Sequence, residues 1–208
     1  MLLSLPETTL QTASGCSKAR MDELVVRIQS RVNNAEKSRA MPSLPLWHES
    51  VRGMPNHLAR SSLFAPIARG ERRMHEKSLL ASRSDVRIYF WGLQLDEADS
   101  DVWLQAVQEA RPTPLGTPIL INRAAFLRAL GRATGKKNYT WLNEAFTRLS
   151  LAMLAVETSK YSVGDWKKSS LLHLVDGFTH DYETGSYALR IDPRIITLFT
   201  NNEYALID

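Results

Sequence analysis

Cysteine is almost absent from this 208-residue sequence, and its scarcity excludes two kinds of protein. The single cysteine, Cys16, cannot form an internal disulfide, so a disulfide-stabilised secreted domain is excluded. The five histidines are far apart and lack the spacing of a zinc site. We therefore predict a chain that works in the reducing cytoplasm, without a metal or any other cofactor.

Long apolar runs are also missing. No stretch approaches the roughly 18 apolar residues that indicate a membrane span. The N-terminus lacks the charged and apolar regions of a signal peptide, so we expect no targeting and no membrane partner. The composition, 44% hydrophobic and 23% charged, is typical of a globular protein.

Motifs for catalysis are weak or absent. The segment GRATGKK at 131–137 is similar to a phosphate-binding loop, but it is one residue short and has Lys137 where a Ser or Thr is required. No hydrophobic strand comes immediately before it. No Ser/His/Asp or Cys/His arrangement can be argued from the order of residues, so we predict that the protein is not an enzyme.

The region 122–190 has the pattern of a helix, a tight turn, a second helix and a hairpin, the order of a winged helix. Asn122 is a suitable N-cap for the first helix, and Gly131 ends it. Asn138 is the predicted N-cap of the second helix. This helix has an apolar stripe formed by Leu142, Ala145, Phe146 and Leu149. Its outward face is predicted to carry Thr140, Trp141, Glu144, Thr147 and Arg148.

Strands are predicted at 151–158, 169–179 and 186–191 from their apolar and β-branched residues. The loop between the first two carries Lys160, Lys167 and Lys168 beside aromatic residues, and we predict that it is the wing. The turn between the last two is acidic and is given no function. The predicted fold is therefore α+β, a winged helix with short antiparallel strands.

Residues 1–43 are predicted to form a flexible N-terminal segment with an amphipathic helix at 21–37. The predicted winged-helix domain covers 44–208. It includes two strands at 74–82 and 85–93 and a helix at 100–110 that is capped by Ser100.

The positive charge is unevenly distributed. The net charge is only +4, but residues 45–90 hold eight Lys or Arg against four acids, and residues 113–150 hold six against one. Such a surplus attracts phosphate. We predict phosphate contacts from Lys136, Lys137, Arg148, Lys160, Lys167 and Lys168, and base contacts from Thr140, Trp141 and Glu144. Arg69, Arg72 and Arg73 form a second basic cluster.

Each of these assignments has a structural alternative. Surface lysines commonly serve only to solvate a protein. Arg69, Arg72 and Arg73 could likewise follow a DNA backbone or merely solvate a loop. Trp141 could pack against a neighbouring element or a second copy of the chain, since tryptophan is enriched at interfaces.

Several motifs at 44–208 occur in the order seen in one family of proteins. The segment LPLWHESVRGMPNHLARSSLF contains Trp47, Arg52, Met54, Pro55, Asn56, Ala59, Arg60, Ser61, Leu63 and Phe64. It is followed by GLQLDEADSDVWLQAV, by the Leu-Gly pair at 130–131, by SLLH at 170–173 and by IDPRIITLFTNNEY near the end. In these motifs the chain resembles the TrfA-type replication initiators of broad-host-range plasmids.

The resemblance implies a protein that binds direct repeats, called iterons, in double-stranded DNA at a plasmid origin. It implies melting of an adjacent AT-rich region, recruitment of host replication proteins and self-association. It also implies two winged helices in tandem, of which this chain would hold the first and end before the second. The family's sliding-clamp motif is not evident in SRAMPSLPLW, the stretch before and including Trp47.

Two other functions fit the same residues. The chain could be a dimerisation or regulatory module of an initiator that controls plasmid copy number, with Tyr89, Phe90 and Trp91 at the interface. It could also be a winged-helix transcription regulator unrelated to replication.

Overall fold

Helices and antiparallel strands alternate in the computed structural model, which describes residues 42–67, 71–168 and 170–207. The predicted helix at 21–37, nearly all of the predicted segment 1–43, and Arg69 lie outside the described residues. The described α-helices are α1 (Asn56–Ala59), α2 (Glu97–Ala110), α3 (Arg123–Ala129) and α4 (Lys136–Leu151), and two 3-10 helices lie at Trp166–Lys168 and Pro193–Asn202. The strands are β1 (Arg52–Pro55), β2 (Met74–Leu80), β3 (Val86–Leu93), β4 (Ile119–Asn122), β5 (Met153–Thr158), β6 (Ser162–Val163), β7 (Leu172–His173), β8 (Gly177–Asp181), β9 (Ser186–Arg190) and β10 (Tyr204–Ile207).

The strands form three antiparallel sheets. One has five strands in the order β2-β3-β5-β6, with β7 also paired to β5. A second has three strands in the order β4-β9-β8, and the third is the pair β1-β10. The predicted α+β class with short antiparallel strands is confirmed.

Helix α2 forms the centre of the core. It begins at Glu97, three residues earlier than predicted, because Asp96 and Asp99 form a reciprocal capping box and Ser100 lies buried inside the helix. Its buried apolar residues include Val102, Trp103, Ala106 and Val107. The Trp103 indole N–H donates to the carbonyl of Leu174, 3.2 Å away, and so joins α2 to the loop after β7.

Helix α3 begins and ends as predicted. The Asn122 side chain accepts hydrogen bonds from the backbone N–H groups of Ala124 and Ala125, at 3.1 and 3.0 Å. The chain leaves the helix through Gly131, whose φ of +66° lies in the left-handed region that glycine adopts without strain.

Helix α4 begins at Lys136 after Gly135, so the predicted cap at Asn138 is wrong. The Asn138 side chain instead donates to the carbonyl of Ala133 at 2.6 Å, across the turn that precedes the helix. The predicted apolar stripe is confirmed, since its four residues are fully buried: Leu142, Ala145, Phe146 and Leu149.

The prediction of one strand at 169–179 is wrong. β7 pairs with β5 in the five-stranded sheet, whereas β8 pairs with β9 in the three-stranded sheet. The chain changes sheet between them because Leu174 and Val175 enter the core. Asp176 then fixes the entry to β8, since its N–H donates to the carbonyl of Arg190 and its carboxylate lies 2.7 Å from the Arg190 Nε.

This change of sheet also alters the predicted wing. The lysine-rich loop belongs to the five-stranded sheet, and the hairpin of the three-stranded sheet is β8-β9, with the acidic turn at 182–185. Helices α2, α3 and α4, strand β4 and this hairpin then follow the order of a winged-helix-like fold.

Aromatic packing fixes α4 against that hairpin. The Phe146 ring lies 5.1 Å from Tyr187 of β9, 5.8 Å from Phe178 of β8 and 5.5 Å from Phe126 of α3, measured between centroids. Aromatic pairs at these separations stabilise a core beyond their buried area. The opposite face of α4 is left on the surface, beside the β8-β9 turn.

Candidate nucleic-acid interface

Of the five residues predicted for the outward face of this helix, three are exposed on α4: Thr140, Glu144 and Thr147. Lys136 and Lys137, predicted in the turn before the helix, lie in its first turn. Lys136, Lys137, Thr140 and Glu144 are exposed, and Asn143 is half-buried. Because residues three or four apart share a helix face, these side chains form one stripe opposite the buried leucines and Phe146. The stripe is long enough and polar enough to face the groove of a duplex.

The N-terminal end of α4 is open. Gly135 supplies no side-chain cap, and the first turn contains no acidic residue. The first backbone N–H groups of a helix have no partner within the helix, and the helix dipole adds partial positive charge at this end. Lys136 and Lys137 place two further cations in the same turn. The combination suits a phosphate group.

The β8-β9 turn is held beside this end through Arg123. The Arg123 N–H donates to the carbonyl of Gly185 at 3.4 Å, and the Arg123 guanidinium carbon lies 4.2 Å from the centroid of the Tyr139 ring. Gly185 has a φ of +65°, and a Cβ atom there would lie 2.9 Å from the Arg123 Nε. Glycine at this position therefore leaves room for the stacked arginine.

A cleft of about 470 Å³ separates α4 from the hairpin. Its walls are formed by Arg123, Lys136, Tyr139, Thr140, Asn143, His180 and Tyr182. The His180 ring is stacked on Tyr187 and tilted against Tyr182, with centroid separations of 4.6 and 4.1 Å. Burial raises the pKa of the Tyr187 phenol, so this ring stays neutral beneath the cleft. The cleft is thus lined by cations, hydrogen-bonding groups and aromatic faces.

Trp141 lies at the other edge of the α4 stripe and is half-buried against the core. The Arg132 guanidinium carbon is 3.8 Å from the centroid of the indole ring. An arginine this close to a tryptophan face makes a cation–π contact. Trp141 therefore packs partly against the core, as its structural alternative proposed, and Arg132 covers part of the ring that remains outside.

Arg148 does not face solvent as predicted. Its Nη2 lies 2.7 Å from the Asp99 Oδ1, and its side chain is only 13% exposed. Arg72 of the second basic cluster lies 2.8 Å from the other Asp99 oxygen and also pairs with Asp96. Asp99 is fully buried in α2, so both arginines are used inside the protein and we leave them out of the interface.

The loop lysines belong to a different sheet from the hairpin beside Lys136 and Lys137, because the loop joins strands of the five-stranded sheet and the hairpin belongs to the three-stranded sheet. Lys167 and Lys168 are exposed on the short helix Trp166–Lys168, next to the five-stranded sheet. Lys168 pairs with Asp165 at 3.4 Å. Arg73 is exposed at the start of β2, where its carbonyl accepts from the Gln94 N–H.

Lys160 belongs to another group, beside the pair β1-β10. Its ammonium contacts one carboxylate oxygen of Glu203, and the His57 Nε2 lies 2.6 Å from the other. The Lys160 contact, followed by that of His57, lowers the pKa of the Glu203 carboxyl. Lys160 is therefore engaged in an ion pair with Glu203, which also contacts His57 of α1.

Sequence reasoning missed Arg123, Tyr139, His180 and Tyr182. The turn at 182–185 looked ordinary because it is acidic, and only its pairing to β4 brings it next to α4. One signal was available in the sequence, since His180 and Tyr182 flank Asp181 and aspartate is a common turn residue. In the structure the Asp181 carboxylate accepts from the N–H and the hydroxyl of Thr184 and so organises the turn.

Other kinds of site are not evident in the described residues. Between 42 and 207, apart from the gaps at 68–70 and 169, no cluster of three His, Cys, Asp or Glu side chains could hold a metal ion. Over the same residues, each helix is too short or too polar to cross a bilayer.

Comparison with known proteins agrees with the sequence motifs. The chain is 27% identical over 195 residues to the plasmid replication initiator protein TrfA of Escherichia coli, an alignment that covers 92% of this chain and 50% of that relative. The chain thus spans half the length of the relative. A crystal structure of domains 2 and 3 of RctB is similar with a TM-score of 0.47, 10% identity, and coverage of 72% of this chain and 64% of that one.

The family model described as TrfA protein matches residues 9–207, which is almost the whole chain. The motifs that carried the resemblance are included in this match, from Trp47 to the segment that ends at Tyr204. The chain therefore belongs to the TrfA family.

Proposed function

We propose that this chain binds double-stranded DNA at a plasmid origin through α4 and the β8-β9 turn, as a step in initiating plasmid replication. Membership of the TrfA family and the replication initiator named among its relatives support the biological role. One structural observation carries the choice of surface: the open, uncapped start of α4 with Lys136 and Lys137 beside the cleft at the hairpin.

Phosphate and base contacts are assigned to different parts of this surface. Lys136, Lys137 and the first N–H groups of α4 bind phosphate, which supplies affinity without reading the sequence. Thr140, Asn143 and Glu144 face base edges in the major groove. Asparagine pairs with adenine and glutamate accepts from cytosine, so these positions select the repeat sequence. The aromatic hairpin turn with Tyr182 follows the neighbouring backbone as the wing.

The salt dependence of duplex binding tests the surface. In a K136Q/K137Q variant, we expect weaker binding to a duplex of origin repeats, with the slope of log K against log salt reduced in magnitude by about 1.8, because two phosphate contacts are lost. A K167Q/K168Q variant makes the same change of charge next to the five-stranded sheet and should bind the duplex as the unaltered chain does. Equal loss in both variants, or loss only in the second, would overturn the assignment.

Base contacts require a second comparison. T140A should reduce the preference for origin repeats over a scrambled duplex, whereas the affinity for the scrambled duplex should remain unchanged. Footprinting on the origin with this chain, beside its T140A variant, measures how much of the specificity belongs to α4. Protection of the repeats that is the same in both would assign specificity elsewhere.

A second candidate function is pairing of two copies, as in a dimerisation module that controls copy number. Strand β2 lies at an edge of the five-stranded sheet, with Met74 67% and Leu79 59% exposed. Phe90 is excluded from such an interface because it is buried in the core. Sedimentation of the chain and of an L79K variant tests pairing: a dimer that the substitution dissociates supports this function.

A further inference from the structure

The outer face of the five-stranded sheet carries aromatic rings. Along β3, Ile88 and Phe90 point into the core, and the alternating Tyr89 and Trp91 lie on the opposite face. Trp166 lies over this face, with its ring centroid 6.2 Å from that of Tyr89. Three aromatic rings are thus gathered outside the core, on the face where the lysine-rich loop lies.

The loop that carries Trp166 is fixed to the sheet. Gly164 has a φ of +74°, and a Cβ atom there would lie 2.4 Å from the Leu154 carbonyl oxygen, so the loop backbone runs directly against β5. Beyond it, Asp165 and Ser170 exchange two backbone hydrogen bonds of 2.7 and 2.9 Å. The loop that the sequence suggested as a wing is therefore closed over the sheet, where it holds Trp166 in place.

Cations are placed at the aromatic rings. The Lys77 ammonium lies 3.2 Å from the centroid of the Trp166 ring, and that of Lys167 lies 5.5 Å away. Lys77 has a φ of +55°, an uncommon conformation for lysine, where the register of β2 shifts between His75 and Ser78. A bulge of this kind redirects a side chain, and here it directs Lys77 onto the indole.

Beside the rings is a cleft of about 520 Å³ with Trp91 and Trp166 in its wall. Ser170 and His173 supply polar groups to the same wall. The acids nearby are already paired, Asp165 with Lys168 and Asp176 with Arg190. A planar polar ring can therefore enter the cleft against an aromatic face without meeting an unpaired carboxylate from these two residues.

We propose that this face binds single-stranded DNA. Unpaired bases stack on Trp166 and Trp91, and Lys77 and Lys167 bind the flanking phosphates. Sheet faces with exposed aromatic side chains and adjacent cations bind single strands in this way, because a duplex hides the faces of its bases. The choice of DNA over RNA rests on the proposed function. The surface differs from the α4 surface, because it lies on the five-stranded sheet and shares no lining residue with the cleft beside α4.

Binding of a dye-labelled oligo(dT) of about 15 nucleotides, followed by fluorescence anisotropy, tests this site. A W166A variant should bind about 5- to 150-fold more weakly, the range that stacking on one aromatic ring contributes. W166F retains a ring and should bind far more tightly than W166A. K77Q/K167Q changes only exposed side chains, so it reports on the site even if W166A fails to fold, and it should weaken binding with a smaller salt slope.

The two nucleic-acid surfaces give opposite results in matched variants. K136Q/K137Q should lose duplex affinity and retain oligo(dT) binding, and K77Q/K167Q should do the reverse. Failure of duplex binding alone would therefore overturn the proposed function and leave the sheet surface supported. Oligo(dT) binding that is unchanged in both W166A and K77Q/K167Q, or absent from the unaltered chain, would overturn the single-strand site.

Discussion

Arg148 of α4 is joined to Asp99 of α2 by a bidentate ion pair, with the Arg148 Nε and Nη2 3.1 and 2.7 Å from the same carboxylate oxygen and Nε 3.2 Å from the other. Arg72 contacts this carboxylate from the other side. Asp99 thus holds together the helix with the proposed DNA contacts, the central helix and the segment before β2. The position of α4 depends on this buried carboxylate.

Removal of that carboxylate should destabilise the fold. We expect D99A to lower the free energy of unfolding by about 3 kcal/mol, because two largely buried guanidinium groups lose their counter-charge. Urea denaturation measures the change. D101A removes a carboxylate from the exposed face of the same helix and should change stability by less than about 0.5 kcal/mol. A small effect of D99A would show that the ion pair does not hold α4.

Two glycines have the same backbone conformation, so variants at both positions distinguish the effect of backbone strain from an effect on DNA binding. G131A and G185A both place a side chain at a φ near +65°, which should lower the free energy of unfolding by about 1 kcal/mol in each. The Cβ atom at 131 meets nothing, whereas that at 185 displaces Arg123 from Tyr139. We therefore expect only G185A to weaken duplex binding, as measured by anisotropy. Equal affinities in the two variants would exclude Arg123 from the interface.

The uncapped start of α4 allows a similar comparison. Gly135 has extended backbone and open space around its Cα, so G135S and G135D should both cap the helix and raise the free energy of unfolding by about 0.5 kcal/mol. Only the aspartate brings a negative charge to the proposed phosphate site. We expect G135D to bind duplex on the order of tenfold more weakly and G135S to bind it normally. Normal binding by G135D would place the phosphates elsewhere.

Tyr161 should make stability depend on pH in the alkaline range. Burial, and then the charge of Glu203, raises the pKa of this phenol to about 12, from about 10 in the unfolded chain. The unfolded chain therefore loses this proton first, and stability should fall as pH rises from about 10 towards 12. In Y161F this contribution to the fall should vanish. The Tyr161 Oη has no hydrogen-bond partner among the described residues, so Y161F should cost little at pH 7.

Absorbance at alkaline pH provides the independent readout for Tyr161. Two phenols, Tyr161 and Tyr187, should titrate late in the folded chain, and Y161F should lack the Tyr161 component while the late titration of Tyr187 remains. A decline of stability between about pH 10 and 12 that is the same in both proteins would contradict the assignment.

The helices near the proposed interface could be predicted because their signals are local. The Asn122 cap, the end at Gly131 and the apolar stripe of α4 depend on residues within a few positions of one another. For the same reason, Thr140, Glu144 and Thr147 were placed correctly on the outward face. The preference of asparagine for N-cap positions did not locate the start of α4. The Asn138 side chain donates to the Ala133 carbonyl across the turn and does not cap the helix.

The sequence by itself determined the class of fold, the helix faces and the family motifs, because each of these depends on residues close to one another in the chain. Tertiary structure decided which strands pair, and so which loop lies beside α4 and which closes over the sheet. It also turned Arg148 inward, since the helix pattern of α4 contains nothing about Asp99 on another helix. Strand pairing and buried ion pairs join residues far apart in the chain, and their free energy depends on contacts that no local pattern records.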